Sequence, residues 1–239
     1  MKKKTNIAVI IPCYKVKNNI LFVVKKCLKY FNFVICVDDN CPEKSGFFIS
    51  KKFKSNKKVK VLFHKYNKGV GGAVKSGYRF LLNKNFDHII KLDGDNQMDP
   101  SEYKNLIKPM YDKKICYTKG NRFLDNKYFS KSPKIRFYGN YILTIVSKLF
   151  IGNFKMGDPL NGYICINNKT LKKLKLSNIR DDFFFETSML YELKRIKAET
   201  QDVKVNIRYH GEISNFKIHE EFLRFIYLHL VYFFRRIFS

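Results

Sequence analysis

Residues 88–102 read HIIKLDGDNQMDPSE and carry the clearest structural signal in the chain. The run 88–92 is mostly apolar, which is typical of a short buried strand. Asp99 suits the N-cap of a helix, Pro100 its first position and Glu102 a capping box. The stretch therefore predicts a strand, a short acidic loop and a helix start, with the loop held at the carboxyl end of the strand.

The same alternation extends in both directions along the chain. Further apolar runs at 7–11, 34–37 and 59–63 predict strands, as does the extended segment 203–209. Helical periodicity is found at 18–30, 72–82, 101–110, 136–151 and 183–195. This pattern predicts an α/β fold with a mostly parallel, Rossmann-like sheet flanked by helices. We expect one domain at residues 1–218 and a C-terminal helix at 219–239.

The acidic loop is a candidate metal site. Asp93 and Asp95 follow a buried strand and are separated only by Gly94, which allows a tight turn. Two carboxylates this close repel each other unless a cation lies between them. Their hard oxygens, with the amide oxygen of Gln97, suit Mg²⁺ or Mn²⁺, and such an ion can hold a diphosphate at the same time.

Two other stretches of the sequence suggest a nucleotide-binding site. Asp38 and Asp39 end a second apolar run, where a carboxylate can accept hydrogen bonds from a base or a ribose, although Asp also favours ordinary turns. The glycine-rich stretch 69–77 suggests close approach of backbone and ligand. It matches neither the dinucleotide fingerprint nor a P-loop, because Gly, Lys and Ser or Thr are missing at the required positions.

The composition favours anionic partners. The formal charge is +27, from 47 basic and 20 acidic residues, so phosphates, acidic lipid or nucleic acid are suitable partners. A coding bias toward Lys and Asn would account for much of this excess equally well. The six cysteines contain no C-x-x-C pair, which indicates reduced, buried thiols in a cytosolic protein.

Taken in order, these motifs resemble the family 2 glycosyltransferases of GT-A fold, in particular the dolichyl- and polyprenyl-phosphate sugar synthases. The likeness spans nearly the whole chain, and two departures from it are Lys15-Val16 and Asn40-Cys41. The resemblance implies nucleotide contacts at Pro12, Tyr14, Asp38, Asp39, Gly71, Lys75, Asp93 and Gly94. It implies metal ligands at Asp93, Asp95 and Gln97, and acceptor or phosphate contacts at Arg122, Arg136, Arg208 and Ser214.

The activity implied by the resemblance is inverting transfer of a sugar from a UDP- or GDP-sugar to a polyprenyl phosphate, in cell-surface glycan synthesis. Asp95 would act through the metal on the leaving group. An alcohol acceptor would need a general base, for which we predict Asp158 first and Glu186 second. A lipid phosphate is already ionised at neutral pH and needs a base less. A soluble or lipid-linked sugar hydroxyl is the alternative acceptor.

The C-terminal stretch combines an apolar run, 225–234, with flanking arginines. It is too short to span a bilayer, which needs about 20 apolar residues. It suits a helix lying in the headgroup region of the inner face of a membrane, or one that packs on protein. We therefore expect a cytoplasmic, peripheral protein, and a homo-oligomer is possible.

Two other classes of function fit the sequence less well. A nucleotidyltransferase would need a basic, glycine-rich loop near the N-terminus, which Pro12-Cys13-Tyr14-Lys15 is not. A basic nucleic-acid-binding protein has only the charge in its favour, and no recognisable binding module is present. Nucleic acid is therefore not an expected partner.

Overall fold

The computed structural model describes residues 5–112, 114–125, 134–151, 157–206 and 218–237. In the helices at residues 134–151 and 218–237, the side chains of residues 135, 136, 218–223 and 235–237 are not described. Three predicted acceptor residues are affected. Arg208 and Ser214 lie outside the described residues, and Arg136 is described only as part of a helix.

Seven strands in the described residues form one sheet. They are β1 (Ile7–Cys13), β2 (Phe33–Asp38), β3 (Val59–Phe63), β4 (His88–Lys91), β5 (Ile115–Asn121), β6 (Ile164–Asn167) and β7 (Glu199–Lys204), in the spatial order β3-β2-β1-β4-β6-β5-β7. β6 runs antiparallel to its neighbours β4 and β5, and the other pairs are parallel. The predicted mostly parallel α/β sheet is confirmed.

Helices cover both faces of this sheet. They are α1 (Lys17–Cys27), α2 (Ser45–Lys52), α3 (Gly69–Leu81), α4 (Tyr103–Ile107), α5 (Lys134–Ile151), α6 (Asn168–Lys173), α7 (Phe185–Arg195) and α8 (Ile218–Ile237). Successive side chains of β1 lie on opposite faces of the sheet. Ile10 packs in the layer that contains α3 and α7, whereas Val9 packs in the layer that contains α1 and α4.

The helix predicted at 101–110 is divided into three pieces. A 3₁₀ turn at Pro100–Glu102 precedes α4, and another at Lys108–Tyr111 follows it. Pro109 explains the second break, because it has no amide hydrogen to donate to the carbonyl of Asn105. The predicted cap is present, since Asp99 accepts a hydrogen bond from the backbone N–H of Ser101 at 3.0 Å.

The C-terminal helix α8 packs on α5. His229 is buried, and its Nε2 lies 3.0 Å from the hydroxyl of Ser147 on α5. Phe225 and Leu228 are buried on the same helix, whereas Tyr227, Leu230 and Phe234 are exposed. Thus α8 has both a packing face and an exposed apolar face. In the described part of the chain, no helix has the length and apolarity needed to cross a bilayer.

Candidate active site at the carboxyl edge of the sheet

Three strands bring the predicted donor residues to one edge of the sheet. Because β1 pairs in parallel with both β2 and β4, the carboxyl ends of these strands lie side by side. Cys13 is opposite Asp38, and Ile10 is opposite Lys91. Tyr14, which follows β1 and is 37% exposed, and the acidic loop after β4 therefore share this edge. Ligands bind at this edge in open α/β sheets.

The acidic loop is a tight turn whose backbone is fixed by hydrogen bonds and close packing. Asn96 adopts a positive φ of 66°, and the backbone N–H of Gln97 donates to Asp95 Oδ1 at 3.0 Å. The amide of Asn19 on α1 donates to the carbonyl of Asp95 at 3.2 Å. Gly94 is packed so closely that a Cβ there would lie 3.1–3.3 Å from atoms of α1 and β1 and their connection. These contacts fix the backbone that carries Asp93 and Asp95.

The donor set of this loop fits a hard divalent cation. Asp93, Asp95 and Gln97 offer carboxylate and amide oxygens, and the Asp93 side chain is 31% exposed. Among the described residues, no group of three His, Cys, Asp or Glu side chains forms a complete metal site. Mg²⁺ is commonly held by one or two carboxylates together with substrate phosphates. The loop therefore suits an ion that shares its coordination with a diphosphate.

A buried lysine connects the acidic loop to the predicted second base. Lys91 is 1% exposed, and its Nζ lies 2.8 Å from Asp93 Oδ1 and 2.9 Å from Glu186 Oε1. Burial lowers the pKa of Lys91, but Asp93 and Glu186 outweigh it, so the pKa is raised and the ammonium stays charged. Gly162 leaves room for this contact, because a Cβ there would collide with Lys91 Nζ.

The predicted first base is already engaged in an ion pair. Asp158 is fully buried and accepts hydrogen bonds from Arg122 Nε and from Arg122 Nη2, each at 2.7 Å. Burial would raise the pKa of Asp158, but the guanidinium outweighs it and the pKa is lowered. A carboxylate with a lowered pKa is a weak proton acceptor, and Asp158 is well placed to orient Arg122. The catalytic role of Asp158 stays a prediction.

Arg122 and the acidic loop lie at the same edge of the sheet. β5 ends at Asn121 and runs parallel to β4, with the start of β6 between them. Arg122 directly follows β5 just as the acidic loop follows β4. The arginine predicted to hold the acceptor phosphate is thus on the same side of the sheet as the predicted metal ligands.

A second buried lysine was not predicted from the sequence. Lys119 on β5 is fully buried, and its ammonium donates to the carbonyl of Asn161 in the loop before β6. Burial lowers the pKa of Lys119 to about 8, although Glu186 and Asp158 act in the opposite direction. No local signal marks Lys119, because β5 itself was not predicted and a Lys in a polar stretch is typical of a solvent-facing position until the neighbouring strands are known.

A further acidic residue, Asp202 on β7, supports the loop that precedes Asp158. Its Oδ2 accepts hydrogen bonds from Asn121 Nδ2 at 2.7 Å and from the backbone N–H of Gly157. Burial raises the pKa of Asp202 to about 6, although these two hydrogen bonds lower it. Asp202 was also not predicted, because it lies 44 residues beyond Asp158 in the chain, and only the pairing of β5 with β7 brings it close.

The two acidic residues at the end of β2 hold backbone. Asp38 accepts from the N–H groups of Cys41 at 2.8 Å and Gly46 at 2.5 Å. Asp39 contacts the ring of His64 at 2.6 Å and accepts from the N–H groups that begin α3. Both carboxylates are buried. Their predicted contact with a nucleotide stays a prediction, and the structure accounts for them as supports of the surrounding loops.

The glycines of α3 approach protein rather than open space. A Cβ at Gly69 or Gly71 would collide with backbone oxygens of the segment 180–182. Lys75 on the same helix is buried, and its Nζ donates to the carbonyl of Ile179 at 2.6 Å and pairs with Asp181 at 2.8 Å. The close approach that we inferred for a ligand is therefore, in this structure, an approach to that segment. Nucleotide contacts of Gly71 and Lys75 stay predictions.

Comparison with known proteins assigns the family. The family model described as glycosyl transferase family 2 matches residues 8–173. A UDP-N-acetylglucosamine–dolichyl-phosphate N-acetylglucosaminyltransferase of Methanococcus voltae is 27% identical over 182 residues, covering 70% of this chain and 72% of the relative. An undecaprenyl-phosphate mannosyltransferase of Micrococcus luteus is 21% identical over 173 residues, covering 72% of this chain and 70% of that protein.

A solved structure supports the fold. Glucosyl-3-phosphoglycerate synthase of Mycobacterium tuberculosis, in complex with Mn²⁺ and UDP-glucose, superposes with a TM-score of 0.69 at 15% identity, covering 98% of this chain and 80% of that one. At this identity the likeness concerns the fold alone, which is the GT-A fold of glycosyltransferases. The family match extends from β1 to the end of α6 and includes the acidic loop and Arg122. The chain is therefore a glycosyltransferase that belongs to family 2.

Proposed function

We propose that this protein transfers a sugar, with inversion at the anomeric carbon, from a UDP- or GDP-sugar to a polyprenyl phosphate. The observation that carries the proposal is the Arg122–Asp158 pair, whose guanidinium is held in a fixed orientation on the same side of the sheet as the acidic loop. Arginine recognises phosphate in a bidentate manner. The relatives named for dolichyl and undecaprenyl phosphate support the same class of acceptor.

Asp93, Asp95 and Gln97 would hold Mg²⁺ or Mn²⁺ at this site. The bound ion would neutralise charge on the departing nucleoside diphosphate. Lys91 holds Asp93 in place, and the hydrogen bond from Gln97 N–H holds Asp95. UDP-glucose and Mn²⁺ are bound in the M. tuberculosis enzyme of the same fold, which supports a nucleotide-sugar donor and a divalent ion here.

A phosphate acceptor removes the need for a strong base. The second pKa of a phosphate monoester is about 6, so its oxygen is largely ionised at neutral pH. Asp158 and Glu186 are both paired with cations, which reduces their capacity to accept a proton. In this reaction both carboxylates have a positioning role: Asp158 orients Arg122, and Glu186 holds the buried ammonium of Lys91. A hydroxyl acceptor would instead require one of them as base.

A lipid acceptor requires contact with a membrane surface. We propose that the protein is cytoplasmic and acts as a peripheral protein at the inner face of a membrane. The formal charge of +27 favours acidic headgroups, and exposed apolar residues on α5 and α8 provide apolar contact.

Donor binding is the first test. Calorimetry with UDP- and GDP-sugars, with and without Mn²⁺, should detect one donor that binds only in the presence of the ion. Asp95→Ala should abolish that binding, whereas Asp112→Ala, at an exposed carboxylate just before the amino end of β5, should leave it unchanged. Absence of binding by every nucleotide sugar would refute the proposal.

Acceptor preference is the second test. With the donor identified, transfer should be measured to a short-chain polyprenyl phosphate and to the corresponding polyprenol. We expect transfer to the phosphate alone, and NMR of the product should report an inverted anomeric configuration. Arg122→Lys should raise the KM for the lipid phosphate more than the KM for the donor. Transfer to the polyprenol or to a sugar hydroxyl would establish the alternative acceptor class.

A further inference from the structure

Lys91 occupies a position in which a lysine is costly. It is the last residue of β4, lies between β1 and β6, and is 1% exposed. An ammonium taken out of water must be compensated by paired charges. Its compensation comes from two directions: Asp93 in the acidic loop at 2.8 Å and Glu186 in the first turn of α7 at 2.9 Å. One buried cation therefore joins two separate elements of the site.

The space around this ammonium is closed by a third element. A Cβ at Gly162 would collide with Lys91 Nζ and Asp93 Oδ2, and it would lie 3.4 Å from Glu186 Oε1. The loop before β6 thus packs directly on the three charged groups. No room is left on that side for a hydrated ion between Asp93 and Glu186.

The ammonium also determines the charge that a metal would meet. Asp93 and Glu186 carry two negative charges, and Lys91 neutralises one of them. Two close carboxylates repel each other unless a cation lies between them. Here a fixed ammonium lies between Asp93 and Glu186. Asp93 therefore offers a metal less negative charge than an unpaired carboxylate would.

We propose that Lys91 is a positioning residue that acts as a built-in cation: it aligns Asp93 with Glu186 and keeps the metal site weak until a nucleotide diphosphate contributes its own oxygens. This inference rests on the proposed function for the identity of the diphosphate ligand. Its consequence is ordered binding, in which metal and donor bind together and metal alone binds poorly. A merely structural lysine would have no such effect on metal affinity.

The test is calorimetric titration with Mn²⁺ alone, without nucleotide or acceptor. Lys91→Met releases Asp93 and Glu186, so we expect Mn²⁺ to bind the variant at least about tenfold more tightly than it binds the wild type. Lys91→Arg keeps the charge and should restore weak binding. Lys60→Met, which removes the same charge at an exposed position on the edge strand β3, should leave Mn²⁺ affinity unchanged. Adding Glu186→Gln to Lys91→Met should reverse most of the gain.

A second variant keeps the proposal testable if Lys91→Met does not fold. Glu186→Gln leaves Lys91 to pair with Asp93 alone, so the Mn²⁺ concentration required for half-maximal donor binding should rise several-fold. Unchanged Mn²⁺ affinity in Lys91→Met, or an unchanged Mn²⁺ requirement in Glu186→Gln, would overturn the role of Lys91. A gain of Mn²⁺ affinity in Lys91→Met without donor binding by the wild type would instead contradict the proposed function alone.

Discussion

Arg122 and Arg195 both pair with a carboxylate, and their surroundings give the two pairs different energetic weight. Arg122 is 8% exposed, and its partner Asp158 is fully buried. The side chain of Arg195 is 44% exposed where it pairs with Glu192, and this buried carboxylate also accepts hydrogen bonds from Lys175 N–H at 2.9 Å and from Asn178 Nδ2 at 3.2 Å. Solvent screens the exposed guanidinium of Arg195 and its loss leaves Glu192 both hydrogen bonds, so this pair contributes little to stability, whereas breaking the buried pair leaves a charge without compensation.

Arg122→Gln should therefore lower the free energy of unfolding at neutral pH by about 3–5 kcal/mol. Arg195→Gln, the matched control, should lower it by less than about 1 kcal/mol. Urea unfolding of both variants provides the measurement. Equal losses would contradict the role that we assign to burial.

The pH dependence of the Arg122 effect has a definite sign. The pKa of Asp158 is lowered in the folded protein, so its pairing stabilises the fold above the unfolded pKa of about 3.9 and this contribution is lost as pH falls through the lowered folded value. The difference in unfolding free energy between wild type and Arg122→Gln should accordingly narrow as the solution is acidified, because a buried Asp158 without its arginine becomes protonated.

The pH dependence of stability that arises from Asp202 has the opposite sign. Its folded pKa is raised to about 6, so the folded state binds more protons than the unfolded state between about pH 4 and pH 6, and stability falls as pH rises through this window. Asp202→Asn keeps an oxygen acceptor for Asn121 and Gly157 and removes the charge. It should raise unfolding free energy at pH 8 by at least about 1 kcal/mol. At pH 4 the gain should vanish, and a gain that persists there would contradict this account.

Helix α5 combines a buried face with an exposed apolar face. Leu143, Ser147 and Ile151 are buried, whereas Ile142, Ile145 and Leu149 are 43–57% exposed and recur at helical spacing. The start of the helix packs against the residue that follows Arg122. The ring of Phe123 contacts the rings of Phe137 and Tyr141 at centroid distances of 5.8 and 6.1 Å. The exposed face therefore extends from the residue beside the arginine for which we propose phosphate binding.

We expect this face of α5 to contact the membrane. The double variant Ile142→Asp with Ile145→Asp should weaken binding to vesicles that contain phosphatidylglycerol, measured by co-sedimentation. The control Phe22→Asp with Phe47→Asp adds the same charge at exposed apolar positions on α1 and α2 and should bind like the wild type. The pair Tyr227→Asp with Phe234→Asp tests α8 in the same way. Equal loss in the control would mean that net charge alone governs binding.

Considered as a whole, the molecule has a large positive charge that two kinds of anionic partner could use. Exposed lysines attract vesicle headgroups and nucleic acid alike, and both attractions are screened by salt. Apolar contacts are not screened, so they distinguish the partners. The exposed faces of α5 and α8 fit a lipid surface and have no use in binding a phosphate backbone.

Binding to anionic vesicles should therefore persist in part at high NaCl, whereas binding to duplex DNA should disappear. Fluorescence anisotropy with labelled DNA and co-sedimentation with vesicles, measured over the same salt series, provide the comparison. Retention of DNA binding at high salt, with loss of vesicle binding, would restore the nucleic-acid-binding alternative.

Local patterns were sufficient for the strands β1 to β4 and for the acidic loop. Apolar runs predicted β1 to β4, and periodicity predicted α1, α3, α5 and α7 to within a few residues, because burial on a sheet imposes its pattern directly on neighbouring residues. β5 was not predicted, since Thr118, Lys119 and Asn121 are polar and become buried only between β6 and β7. Pro109 also divided a helix that periodicity alone had joined.

The charged pairs depended on tertiary structure. Lys91 and Glu186 are 95 residues apart and Arg122 and Asp158 are 36 apart, so no local pattern relates them. The sequence alone identified the acidic loop, Arg122 and the two candidate bases as residues of interest. Which cation neutralises which carboxylate was determined only when β4, β5, α7 and the loop before β6 came together, because ion pairing depends on distance and burial rather than on residue type.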